Sequence, residues 1–63
     1  MSSADADVTV LARAMLTNFP SDAADRAASR SSLFAALGRA ETSRKWSCVS
    51  EEIERILTGA AAS

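Results

Sequence analysis

The residues of this 63-residue chain that could do chemistry are few. They are one cysteine, Cys48, three closely spaced glutamates, Glu51, Glu52 and Glu54, and a set of arginines. Histidine and tyrosine are absent, which removes the commonest general base and the commonest zinc ligand. Nucleophilic catalysis needs a Ser, Cys or Thr beside a base, and the chain offers no Ser/His/Asp or Cys/His set. A phosphate-cradling loop needs clustered glycines, whereas the only two are Gly38 and Gly59. Glu51 and Glu54, three apart, fall on the outer face of a helix with Arg55 beside them, which reads as solvated surface. Cys48 stands alone, so it forms neither an internal disulfide nor a zinc set. The expectation is no enzyme: no catalytic residue, no cofactor, no metal and no small-molecule substrate.

Charge carries more information than chemistry. The net charge of −1 conceals an uneven distribution: −3 over residues 1–25, +4 over 26–45 and −2 over 46–63. The basic middle consists of Arg26, Arg30, Arg39, Arg44 and Lys45, and these five are the candidate partner-binding residues. A basic segment between acidic ends suits an acidic partner or a phosphate backbone. It equally suits two antiparallel helices that pair with each other.

Length limits the chain to one domain, residues 1–63, with a core too small to be strongly stable on its own. With no disulfide or metal to staple it, self-association or a bound partner becomes an expectation. A lone thiol fits a reducing cytoplasm. The opening Met1-Ser-Ser-Ala-Asp-Ala-Asp lacks the basic and apolar regions of a signal peptide. The longest apolar run, Leu33 to Leu37, falls far short of the roughly 20 residues a membrane span needs. A cytoplasmic protein with no membrane contact is expected.

Apolar spacing then predicts three short helices. Ala4, Val8, Leu11, Ala12, Met15, Leu16 and Phe19 stripe a first helix over about 5–18, which Pro20 ends. Ser21 is the expected N-cap of a second helix over about 21–37. On its wheel Ala23, Ala27, Phe34 and Leu37 share a face, and Ser29, Ser31 and Ser32 weaken the middle enough to suggest a break at Ser31–Ser32. Gly38 closes this helix. A third helix over about 41–58 carries Trp46, Val49, Ile53, Ile56 and Leu57 and is expected to end at Gly59, with residues 1–4 and 60–63 frayed. The predicted core is Val8, Leu11, Met15, Phe19, Phe34, Leu37, Trp46, Val49, Ile53, Ile56 and Leu57.

Three positions carry alternative readings. Arg30 falls in the middle of the second helix's apolar face. It either covers apolar surface with its stem and reaches Glu52, Asp22 or a helix C-terminus, or it projects into a partner's interface. Trp46 is either the central packing residue or a contact hot spot. Cys48 lies opposite the Trp46 stripe, as a second apolar contact or an exposed thiol.

Leu11-Ala-Arg-Ala, Ala27-Ala-Ser-Arg30, Gly38, Trp46-Ser-Cys-Val49 and Ile53-Glu-Arg-Ile56-Leu57 together resemble a widespread type of very short, uncharacterised bacterial proteins over roughly residues 8–57. The resemblance implies an all-α fold and no established activity, so it assigns no functional residue. The chain departs from the type where Arg39 follows Gly38 in place of an acid, and where Ser31–Ser32 interrupt the middle helix. The residues thus lead to an all-α pack of three short helices and to a non-enzymatic regulator or inhibitor. Such a protein acts by binding another protein, alone or as a homodimer. The alternative is a nucleic-acid-associated helical module using Arg26, Arg30, Arg39, Arg44 and Lys45. An overall acidic pI near 5 and the exposed glutamates of the third helix disfavour it.

Overall fold

The described residues form three α-helices joined by tight turns: α1, Ser3–Asn18; α2, Ala23–Ala36; and α3, Ala40–Ala62. The computed structural model describes the backbone of residues 3–62 and the side chains of 7–59. The expected fraying at residues 1–2 and 63, and the place of the Ala4 side chain in the first stripe, lie outside these.

Each turn follows from local chemistry. Pro20 cannot continue α1, and the Asp22 amide donates back to the Phe19 carbonyl at 3.3 Å, closing a four-residue turn with Pro20 at its second position. That turn absorbs Ser21, so α2 is capped by Asp22 rather than by Ser21, and it starts two residues later than the spacing predicts. The Asp22 carbonyl accepts the first helical bond, from the Arg26 amide at 2.9 Å. At the far end Gly38 adopts φ +77°. Its amide donates to Ala35 and the Arg39 amide to Phe34, at 3.1 and 2.8 Å, the paired bonds of a Schellman cap. Gly59, by contrast, keeps a negative φ inside α3, and the helix runs on into the alanines to Ala62 instead of ending there.

The second helix is unbroken at Ser31–Ser32, because the Ser31 hydroxyl is used across the helix pair rather than on its own backbone. Ser31 Oγ donates to the Ser43 carbonyl at 2.9 Å, and Ser43 Oγ returns a bond to the Ser31 carbonyl at 2.8 Å. Since each hydroxyl holds one proton, Ser47 must be the donor in its 2.6 Å contact with Ser31 Oγ. No proton is left for the 3.2 Å contact between the Ser31 and Ser43 oxygens. Farther along, Ser50 Oγ donates to the Ala24 carbonyl at 3.2 Å. Ser31 meets Ser43 and Ala24 meets Ser50: seven residues back on α2 is seven forward on α3, an antiparallel register. Lys45 near the start of α3 pairs with Asp7 near the start of α1 at 3.5 Å, so α1 runs parallel to α3 in an up-down-up order. At 1.5 Å per residue α3 is about 34 Å long, nearly the 39 Å long dimension of the molecule. It packs against both other helices, which touch each other little.

The core is smaller and lies lower on the helices than the apolar spacing suggests. Ala12, Met15, Ala23, Ala27, Val49 and Ile53 are buried, with Val8, Leu11, Leu16, Phe19, Ala24, Trp46 and Ile56 packed around them. Half of the buried set is alanine. Trp46 therefore flanks the core rather than filling its centre, which belongs to Val49 and Ile53. Phe34 is half-buried outside that cluster, and Leu37 and Leu57, both expected inside, are 62% and 48% exposed. Leu57 lies past the start of α2 in the register of the pair, where α2 no longer faces α3; for Leu37 the cause is the small-residue seam. α2 turns Ala24, Ala27 and Ser31 toward α3, which rotates Leu37 out to solvent.

Four substitutions test these devices. At Gly38 a Cβ would meet nothing within 4 Å, so Gly38→Ala isolates the cost of a left-handed backbone, about 1–2 kcal/mol. Gly59→Ala, in helical conformation, should instead be neutral or stabilising by up to about 1 kcal/mol. Ser31→Ala should cost about 1 kcal/mol through the lost hydroxyl bonds. Ser31→Leu, which wedges the seam apart, should cost more, in the range of about 1–3 kcal/mol. Urea midpoints read by helical circular dichroism check all four.

Candidate functional site

The five basic residues do not form one patch; the fold divides them among three places. Arg26 and Arg30 sit on α2, Arg39 in the α2–α3 turn, and Arg44 and Lys45 on the first two turns of α3. Arg44 and Lys45 line an open groove of about 970 Å³ between α1 and α3, together with Val8, Thr9, Glu41, Cys48, Glu51, Glu52 and Arg55. Its charged residues balance, three acids against three bases. Lys45 is paired with Asp7, and Glu52 accepts a hydrogen bond and ion pair from Arg55. That carboxylate holds the Arg55 pKa above its ordinary value, the hydrogen bond contributing most and the charge attraction next. Cys48 is exposed on this wall. Among the described residues no group of three or more Cys, Asp and Glu side chains is placed to hold a metal ion. No helix there is long and apolar enough to cross a membrane.

The α2 side is organised differently. Arg26, Arg30, Leu33 and Leu37 recur at i, i+4, i+7 and i+11, one straight stripe along the helix. All four are exposed, the two leucines at 55% and 62%. Each arginine lies over an aromatic ring. The Arg26 guanidinium is 4.1 Å from the Phe19 centroid and that of Arg30 is 5.2 Å from the Trp46 centroid. Arg26 also donates from Nε to Asp22 Oδ2 at 3.1 Å, an exposed i, i+4 ion pair. Arg30 takes none of its expected partners: neither Glu52, nor Asp22, nor a helix end, but the face of Trp46. Asp22, Asp25, Arg26, Ser29, Arg30 and Leu33 border a second, shallower cleft on this flank.

Sequence reasoning found Arg26 and Arg30 but missed their neighbours, placing Leu37 in the core. The signal was present in the spacing of small residues. Ala24, Ala27 and Ser31 at i, i+3, i+7 match Ser43, Ser47 and Ser50 at i, i+4, i+7, and two such rows pack closely. Reading that seam first would have put the leucines on the outside.

The cation–π contact makes a direct prediction, since Trp46 is the only tryptophan. Arg30→Ala should redshift Trp46 emission and raise its quenching by acrylamide, at a stability cost of about 0.5–1 kcal/mol. Emission and quenching unchanged from the native chain would mean the guanidinium does not cover the ring. No protein-family model matches the chain, and neither does any curated protein or solved structure.

Proposed function

We propose that this is a non-enzymatic interaction protein, a small regulator or inhibitor that acts inside the cell by occupying the surface of another protein, alone or as a homodimer. The observation that carries this reading is the α2 stripe: two exposed leucines in line with two arginines stacked on Phe19 and Trp46. Tryptophan and arginine are the residue types most enriched among interface hot spots, and they act where apolar contact is ringed by polar groups. A thin, alanine-rich core supports the same reading, because docking adds burial that the fold itself lacks.

The nucleic-acid reading has less behind it. Its five basic residues point to three separate places, Arg26 and Lys45 are paired with aspartates, and the groove holding Arg44 and Lys45 also presents Glu41, Glu51 and Glu52. A phosphate backbone passing along that groove would meet carboxylates. Binding through phosphates would also weaken by orders of magnitude between low and moderate salt, which an apolar interface would not.

The test is affinity capture with the tagged full chain from its native cell, after nuclease treatment, beside Leu33→Glu/Leu37→Glu. Both positions are exposed, so the double variant should keep its helical circular dichroism. Proteins retained by the native chain at moderate salt and lost with the variant are the expected result. Retention that survives the variant would remove the α2 stripe from the function, and material that vanishes with nuclease would favour nucleic acid.

A further inference from the structure

The order of residues along the α2 stripe points to a partner chemistry, on the footing that the chain is a protein-binding module. Leu33 and Leu37, one turn apart, stand between Arg30 on one side and Arg39, just past the Gly38 turn, on the other. The ion pairs among the described residues use Arg26, Lys45 and Arg55, so Arg30 and Arg39 have no carboxylate partner there. Both are exposed. The ring of Trp46 engages one face of Arg30, and a planar guanidinium stacked in this way still has its edge donors free for a carboxylate.

We propose that the stripe docks an acidic amphipathic helix of a partner protein. Two apolar side chains of that helix, four residues apart, pack on Leu33 and Leu37, while carboxylates about one turn beyond each of them reach Arg30 and Arg39. This is helix-on-face recognition with charges fixing the register. The same geometry disfavours a second copy of the chain as occupant. A twofold pairing that sets Leu33 against Leu37 of the other copy brings Arg30 of one against the turn holding Arg39 of the other. By the twofold symmetry the same meeting of like charges occurs at both ends. Nucleic acid would satisfy the arginines but leave both leucines in contact with phosphate and sugar.

The experiment uses the full chain and two fluorescein-labelled alanine-based helical peptides without tryptophan. Each carries two leucines four residues apart, flanked one turn outward by glutamates in one peptide and by lysines in the other. Fluorescence anisotropy should show saturable binding of the glutamate peptide and at least about tenfold weaker binding of the lysine peptide, because each exchange turns attraction into repulsion. Arg30→Met/Arg39→Met, which keeps the apolar stems, should abolish that preference. Leu33→Glu/Leu37→Glu should abolish binding of the glutamate peptide. Equal affinity for the two peptides, or no saturable binding of the glutamate peptide up to millimolar concentration, overturns the acidic-helix assignment. Continued loss of captured proteins in the leucine variant would then leave the broader protein-binding reading standing. A dimer seen by sedimentation and dissolved by the leucine variant would assign the stripe to a second copy and overturn the proposal as well.

Discussion

The close approach of α2 to α3 along a seam of alanines and serines is the constraint from which the other features follow. Ala24, Ala27 and Ser31 on one helix and Ser43, Ser47 and Ser50 on the other are small enough to let hydroxyls reach the carbonyls of the facing backbone. Such bonds have a steep distance dependence, so one large side chain anywhere in the seam would break several of them together. The bonds are also directional, and they fix the axial register of the pair in a way that alanine packing alone would not. What the seam gives up is volume, because small residues bury little apolar area each.

That deficit sets the character of the rest of the molecule. α3 must serve two neighbours at once, and it has only Val49 and Ile53 as large, fully buried side chains. α1 contributes Met15 and Ala12 from the opposite side, and the remaining bulk, Leu11, Phe19, Trp46 and Ile56, is only partly covered. In a larger domain these rings would be interior. Here Arg26 and Arg30 lie across two of them, so that long stems and planar heads replace a missing layer of core. The arginines are therefore structural cover and surface charge in one, and neither role excludes the other.

The parts of the fold that were legible in the sequence are those decided within a few residues. Pro20 stopping α1, Gly38 closing α2 with a positive φ, and the Val49–Ile53 spacing all follow from local sterics or from one helix's own periodicity. What was not legible depended on which face of α2 meets α3. A wheel weighted by hydropathy centres that face between Ala23, Phe34 and Leu37, whereas close packing prefers the narrower face through Ala24, Ala27 and Ser31. The difference is a modest rotation, but it carries Leu37 out and leaves Phe34 at the rim. Serine read as a helix weakener has the same origin: the propensity is real, but tertiary bonds to α3 override it. At the candidate site the charges were legible and their surroundings were not. An arginine on an apolar face invites a search for a carboxylate, and only the fold shows an indole beneath it.

Arg30 also shows why an interaction surface and a stable monomer can share one face. A tryptophan left bare would add its indole to a surface that already exposes Leu33 and Leu37, and large exposed apolar surface drives unspecific association. A lysine in its place would be more strongly hydrated and would stack less well on the ring. Arginine covers the indole in the free protein at little desolvation cost, since its edge donors still face water. An incoming carboxylate can then engage those donors without displacing the guanidinium from the ring, so the contact that holds the monomer's surface together need not be broken when a partner arrives. The orientation is set before binding, which lowers the side-chain entropy lost on association. A thin core capped in this way gains from docking without depending on it.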